Sequence, residues 1–210
     1  MGHGPILSSA ELLSGGTPKT ERKDYWDGRI LWASAKDVSQ CPDVFLTATE
    51  RSITEKGLSE SSTQIIPALS TVIVARGATT GRMVLVGRDM AMNQTCYALA
   101  TKIGAPFFLY CLLRNEVHGL VHTAHGSVFD TITTNTFANH RIVIPPKEVV
   151  QVFESAVSAM FRRILANTLE SSTLKAIRDT LLPKLISGEV RIYASESRNN
   201  HNRDFFKDRT

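Results

Sequence analysis

Three histidines lie close together in the chain, His118, His122 and His125, and the first two stand at the i, i+4 spacing that puts a pair of ligands on one helix face. A zinc protease helix uses that spacing with a glutamate directly after the first histidine, and here Gly119 stands in that place. No metal is therefore expected, and the histidines read as polar loop residues. Cys96 beside His122, His125 or His140 would make a thiol nucleophile pair, which defines a rival reading of the chain as a small thiol or metal hydrolase. No nucleophile elbow accompanies Cys96, and a cysteine in a strand is ordinarily a small core hydrophobe.

A second set of residues has the chemistry of nucleic-acid recognition. Arg76-Gly-Ala-Thr-Thr-Gly81 is a glycine-bracketed turn flanked by Arg76 and Arg82. It lacks the Gly-Lys-Ser/Thr ending of a triphosphate-binding loop and does not open a helix. It is either an ordinary hairpin turn or a turn whose backbone amides, threonines and arginines approach a phosphate. Asn93-Gln94 and the later Ser127, Asn135, Asn139 and His140 supply the amide and hydroxyl groups that can pair with base edges. The same residue types populate turns and caps. Thr17 to Asp24 is a charged loop holding Lys19, Arg22 and Lys23, and such runs are ordinarily solvated surface.

The elements that must carry these residues are short. Ile6 to Gly16 reads as a helical turn ended by glycines, and Tyr25 to Gly28 as a turn leading into a strand, Arg29 to Ala33. Ser34 to Asp37 reads as a turn or cap, Val44 to Thr47 as a strand, and Ile53 to Leu58 as a helical turn. Thr71 to Ala75 is a β-branched strand, with Met83 to Val86 its hairpin partner and Gln94 to Ala100 a further strand. Pro106 begins a helix expected to end near Gly119. Residues 119 to 140 read as irregular, and Ile142 to Ile144 as a last strand. The fold class expected is α+β: a strand-rich mixed domain at 1–146, a long helix and its C-terminal end at 147–190, and a disordered tail at 191–210 despite Phe205-Phe206.

The bulk numbers agree with one domain and an appendage, at 210 residues with 42% hydrophobic and 21% charged. No apolar run reaches the ~20 residues a bilayer requires, and the first residues lack the pattern of a signal peptide. Three well-separated cysteines form no CxxC, so a reducing cytoplasmic setting is expected. The net charge of +4 and pI near 9.1 allow a polyanion partner. Through Glu148 the chain has 14 Lys/Arg against 13 Asp/Glu, so a DNA-binding face there would be local.

After Pro145-Pro146, Lys147 to Val190 holds more than thirty residues without proline or glycine. Val150, Phe153, Val157, Met160 and Ile164 are spaced 3, 4, 3, 4, the seam of a coiled coil. Leu174, Ile177 and Leu181 resume it after a polar interruption. Such a helix reaches roughly 50 Å, longer than a small domain needs for itself. It reads as a spacer or dimerisation arm.

Taken in order, several stretches resemble the target recognition domain of the type I restriction-modification specificity subunit. They are Gly15-Gly-Thr-Pro18; Tyr25-Trp-Asp-Gly-Arg-Ile-Leu-Trp32 followed by Asp37; Ile53-Thr with Gly57-Leu58; Arg76 to Gly81; Asn93-Gln94; and Ile142-Val-Ile-Pro-Pro146. The ending Leu174 to Val190 resembles the close of that family's spacer helix. Leu31 departs from the family, which often has proline before the tryptophan. A larger departure is that standard members carry two recognition domains and two spacer helices, and this chain has one of each.

The resemblance implies a non-catalytic subunit that reads one half of a bipartite site in double-stranded DNA. It implies docking to adenine methyltransferase subunits that bind S-adenosylmethionine, with no cofactor on this chain. It further implies that a nuclease/translocase subunit can join, and no membrane partner. A half-subunit is expected to pair its long helix with a second copy as a twofold dimer. By position, Lys19, Thr20, Arg22 and Lys23 become backbone contacts, with Arg76, Thr79, Thr80 and Arg82 at the central turn. Asn93, Gln94, Ser127 and Asn135 become base readers. Phe153, Val157, Met160, Ile164, Leu174, Ile177 and Leu181 become the helix–helix seam, with Arg162, Arg163, Lys175 and Arg178 facing outward or toward the methyltransferase. Trp26 and Trp32 are expected in packing. A second rival keeps the fold and makes the chain an orphan interaction module.

Overall fold

The computed structural model describes residues 2–124 and 131–190. In chain order the elements are β1 (Gly2–Pro5), β2 (Ala10–Ser14), β3 (Trp26–Ala33), α1 (Ala35–Gln40), β4 (Phe45–Leu46), β5 (Arg51–Ile53) and α2 (Glu55–Ser59). Then come β6 (Thr71–Val74), β7 (Met83–Val86), β8 (Ala91–Met92), β9 (Cys96–Thr101), α3 (Pro106–Ala124), α4 (Thr134–Asn139), β10 (Arg141–Ile144) and α5 (Lys147–Ile186). The α+β class expected from the sequence is the class observed. Disorder of the tail and the positions of His125 and Ser127 lie outside the described residues.

A five-stranded sheet in the order β2-β9-β6-β7-β4 is the frame. Its pairs are antiparallel except β4 with β7, which is parallel. Along β6 and β9 the side chains alternate between faces, as the two-residue period of a strand requires. Ile73 and Leu99 join Ile6, Leu109, Leu113, Leu120 and Phe137 under α3 and α4. Val72, Val74 and Ala98 join Val38, Val84, Val86, Met90 and Met92 on the opposite face. A three-stranded sheet, β5-β3-β8, and the pair β1-β10 complete the β structure.

The local reading needs four corrections, the first being that β3 begins at Trp26, inside the stretch read as a turn. Ile6 to Gly16 is not a helical turn throughout: Ile6–Ser8 makes one 3-10 turn, and Ala10–Ser14 is strand β2, paired in full with β9. Tertiary pairing there overrides a pattern compatible with a helix. α3 does not stop at Gly119 but continues to Ala124, because Leu120 buries itself in the core one turn on. The 119–140 stretch also contains α4, started by a Thr133–Thr136 capping box and held by buried Phe137.

α5 has 40 residues and so runs about 60 Å. The sequence places a boundary at Pro146, where this helix begins; by internal contact the division falls within it, the units being Met1–Glu170 and Ser171–Thr210. In the first unit Val157, Phe161 and Leu165 pack on Phe45, Leu85, Phe107 and Tyr110. Phe161 stacks on Phe107 with ring centroids 4.7 Å apart and the planes 11° from parallel. The Glu154 carboxylate accepts from the backbone amides of Phe107 (3.4 Å) and Phe108 (2.8 Å), capping the start of α3. The expected seam is thereby divided. Val157 is used inside the domain, Phe153 lies edge-on to Phe108 at 5.8 Å, and Met160 and Ile164 are exposed. In the second unit Leu174, Ile177 and Leu181 are all exposed.

Candidate nucleic-acid interface

Strand register decides which candidates meet. Ser14 at the end of β2 pairs with Tyr97 near the start of β9, and Val74 at the end of β6 pairs with Cys96. The loop after β2, the turn before β9 and the turn between β6 and β7 therefore leave from one rim of the five-stranded sheet. The 131–133 segment joins them there, since the Ile132 amide donates to the Ala75 carbonyl at 2.9 Å. Arg76 to Arg82 and Asn93-Gln94 thus leave from that rim, and hydrogen bonds join to it the start of the 17–24 loop and the segment before Asn135.

The central turn is a closed structure. The Gly81 amide donates to the Val74 carbonyl at 2.9 Å, and the Val74 amide to the Arg82 carbonyl at 2.8 Å. The Thr80 hydroxyl donates to the Gly77 carbonyl at 2.7 Å. Gly81 has φ +90°, and a Cβ there would stand 2.9 Å from Val121 and 3.3 Å from Val117. The turn is thus pressed against α3 and needs glycine twice over. Arg76 and Arg82 are exposed, and Thr79 is half-buried.

Asn93 and Gln94 differ in role. The Asn93 side-chain oxygen accepts from the Thr95 amide (3.2 Å) and hydroxyl (2.7 Å), so it builds the turn that carries its neighbour. Gln94 is exposed and accepts from the Thr17 hydroxyl. Gly15 lies so near this turn that a Cβ would come 2.1 Å from the Asn93 carbonyl oxygen. The Gly16 amide donates to the Met92 carbonyl at 2.9 Å.

The 17–24 loop is fastened by the aromatic residues behind it. The Trp32 indole donates to the Gly16 carbonyl (3.0 Å) and the Trp26 indole to the Lys19 carbonyl (3.2 Å), the two rings meeting edge-on at 5.2 Å. Both tryptophans are buried, as expected of packing residues. Arg51 lies 3.4 Å over Trp26. Arg22 is occupied within the loop: its fork donates to Asp24 at 2.9 and 2.8 Å, and it sits 4.6 Å over Tyr25. Hydrogen bonds from Arg22 and Lys56 hold the Asp24 carboxyl well below the usual carboxylate range. Lys19 and Lys23 are exposed and make no ion pair among the described residues. The Thr20 hydroxyl donates to Glu21 at 3.2 Å.

Asn135 is exposed on α4. That helix is tied to α3 by His140, whose Nε2 lies 3.0 Å from Glu116. Asn139 is exposed on the same helix. The rival thiol site finds no support. Cys96 is buried, and burial pushes its thiol up to about 12, the reverse of what a thiolate nucleophile needs. No group of three metal-ligating side chains is assembled among the described residues, and no helix among them is long and apolar enough to cross a membrane.

Sequence reasoning passed over one feature. Beside the central turn lies a cleft of about 360 Å³, lined among others by Asp43, Arg82, Tyr110, Arg114 and His118. The i, i+4 repeat of Tyr110, Arg114 and His118 was the available signal. His118 entered only as a metal candidate, and Arg114 not at all.

The mixed sheets followed by a long C-terminal helix are the fold that comparisons with known proteins match. The model of the type I restriction modification DNA specificity domain matches residues 9–175, and the chain belongs to that family. It is 28% identical over 184 residues to the specificity subunit of the type I restriction enzyme HindI of Haemophilus influenzae, covering 86% of this chain and 39% of that protein. To the MjaIX specificity subunit of Methanocaldococcus jannaschii it is 38% identical over 86 residues, 41% of this chain and 20% of that one. The fold matches the crystal structure of the type I S subunit from M. genitalium with a TM-score of 0.61 at 15% identity, over 88% of this chain and 45% of that one. The S subunit from Thermoanaerobacter tengcongensis matches at 0.54 and 14%, over 90% and 45%. The chain spans less than half the length of these relatives.

Proposed function

We propose that this chain is a non-catalytic, sequence-specific DNA reader that recognises one half-site for a type I restriction-modification complex. What supports the reading is the rim: strand register sets the turns of Arg76, Arg82 and Gln94 at one edge of one sheet, and hydrogen bonds join to it the start of the loop that carries Lys19 and Lys23 and the segment before Asn135. Arginine and lysine there suit phosphates and guanine, and the amides suit adenine. Arg22 and Asn93 serve this surface by building it.

In this proposal the surface of α5 provides the rest. Met160, Leu174, Ile177 and Leu181 are 42–59% exposed, an apolar stripe a lone helix does not leave in water. Phe153, Met160, Asn167, Leu174 and Leu181 recur at intervals of seven, with one asparagine of the kind that sets register in helix pairs. A second copy pairs along this stripe and gives a two-headed reader of an inverted-repeat site. The exposed charges Arg162, Arg163 and Lys175 face a docked adenine methyltransferase, which carries the S-adenosylmethionine, and a nuclease/translocase subunit joins that assembly.

Light scattering of the chain, before and after removal of residues 149–210, tests the pairing, with a dimer becoming a monomer as the expected result. Because that deletion also removes Phe161, Met160→Glu with Leu174→Glu is measured alongside. A monomeric wild type refutes self-pairing. Selection from random duplexes in the presence of the methyltransferase tests the reading itself, and failure to enrich any sequence refutes it.

A further inference from the structure

We infer that Arg82, Arg114 and His118 form a second grip on the DNA backbone, a cleft on the α3 side of the central turn that takes a phosphate. The inference rests on the DNA-reading function proposed above and extends its surface from the loops onto a helix. Tyr110, Arg114 and His118 follow one another at one-turn intervals, so they share a face of α3. That face, the Pro42-Asp43-Val44 segment and Arg82 enclose the cleft of about 360 Å³.

The cleft is held in shape from below. Tyr110 is 5% exposed and meets Phe161 edge-on at 6.0 Å, one helical turn before Arg114. Arg82 comes from a turn that Gly81 presses onto Val117 and Val121 of the same helix. The backbones of the two arginines are therefore fixed relative to each other, and only their side chains remain to be ordered on binding. Neither arginine makes an ion pair among the described residues, and both are exposed. Among the described residues Asp43 is the one acidic residue of the lining, beside two arginines and a histidine. Guanidinium groups lining one polar concavity suit phosphate oxygens, and the cleft is continuous through Arg82 with the turn that holds Arg76.

The test is a salt titration of binding to a fluorescent 30-base-pair duplex of random sequence, using the full chain with its methyltransferase. Each lost phosphate contact lowers the slope of log K against log salt by about 0.9, or about eightfold in affinity at 0.1 M salt. Arg114→Gln and Arg82→Gln are each expected to do this, Arg114→Lys to restore most of it, and Arg88→Gln, at the far end of β7, to change nothing. Unchanged melting temperatures separate lost contacts from lost structure. If the wild type binds with a steep slope that Arg114→Gln and Arg82→Gln leave intact, the cleft is refuted while the DNA-reading proposal stands. If Arg114→Lys fails to restore the slope, the guanidinium reads a base and the phosphate assignment is overturned. If the wild type shows no salt-dependent binding to any duplex, both fall together.

Discussion

Phe161 and Met160 are neighbours on α5 in opposite surroundings, Phe161 in a packed cluster and Met160 exposed. Phe161 stacks on Phe107 at 4.7 Å and meets Tyr110 and Phe45 edge-on at 6.0 and 6.4 Å. Phe161→Ala removes the ring at the centre of this cluster. Full enclosure would make the loss about 3–5 kcal/mol; Phe161 is only partly buried, so we expect about 2–4 kcal/mol, including the aromatic pairs. For a domain of this size about 3 kcal/mol lowers the melting temperature by about 6–12 °C. Met160 is 59% exposed, so Met160→Ala should change the stability of the isolated chain by less than about 0.5 kcal/mol while weakening association. Urea unfolding at several protein concentrations separates the two effects, because pairing makes stability depend on concentration and packing within one chain does not. Equal losses for the two variants at the lowest concentration, or a loss below about 1 kcal/mol for Phe161→Ala, would refute this division of the helix into an inner and an outer face.

Gly81→Ala should destabilise by about 1–2 kcal/mol in the same assay, because φ is +90° and the new methyl meets Val121 at 2.9 Å; a neutral result would mean the turn is not braced on α3. Cys96 should resist iodoacetamide at pH 8.5 until urea unfolds the chain. Its folded thiol is raised from 9.0 to about 12, so its contribution is whole below pH 9 and is lost as pH rises toward 12. Across that window the loss is at most on the order of 4 kcal/mol. Cys96→Ala should remove that part of the alkaline slope, and an unchanged slope would contradict the burial.

Elements with a strong local signal were legible in the sequence. Thr71–Val74 is β-branched throughout, Met83–Val86 returns as its antiparallel partner, and the start of α5 follows a double proline. β1 was not legible, because Gly2-His-Gly-Pro5 has no strand character and exists only by pairing with β10. β2 failed for the same reason, its five residues being fixed by β9. On α5 a single 3,4 spacing was read as one seam. The helix has two apolar faces, so Phe161 and Leu165, which hold the domain, were missed. At the site the residue types were legible and their company was not. Gln94 beside Thr17, or Ala75 beside Ile132, follows from register between strands far apart in sequence. The loss of Arg22 to Asp24 depends on a loop conformation held by Trp26, Trp32 and Thr54.

The inner face of α5 also gives a route by which this helix bears on the proposed DNA-reading rim. Two prolines are all that separates β10 from α5, so no flexible loop intervenes between sheet and helix. Glu154 caps the start of α3, and Phe161 fixes Tyr110 one turn before Arg114. α3 is therefore clamped from its first turn to the residue beneath the cleft by side chains of α5. A force applied along the spacer by a partner would reach Arg114 through packed aromatic rings, and through Val117 and Val121 it would reach the turn that carries Arg82. On this geometry a variant such as Phe161→Leu, which stays apolar but is smaller and loses the flat stack on Phe107, should weaken DNA binding more than its cost in stability accounts for. Equal affinity in Phe161→Leu and wild type would show that the helix supports the domain without tuning its grip.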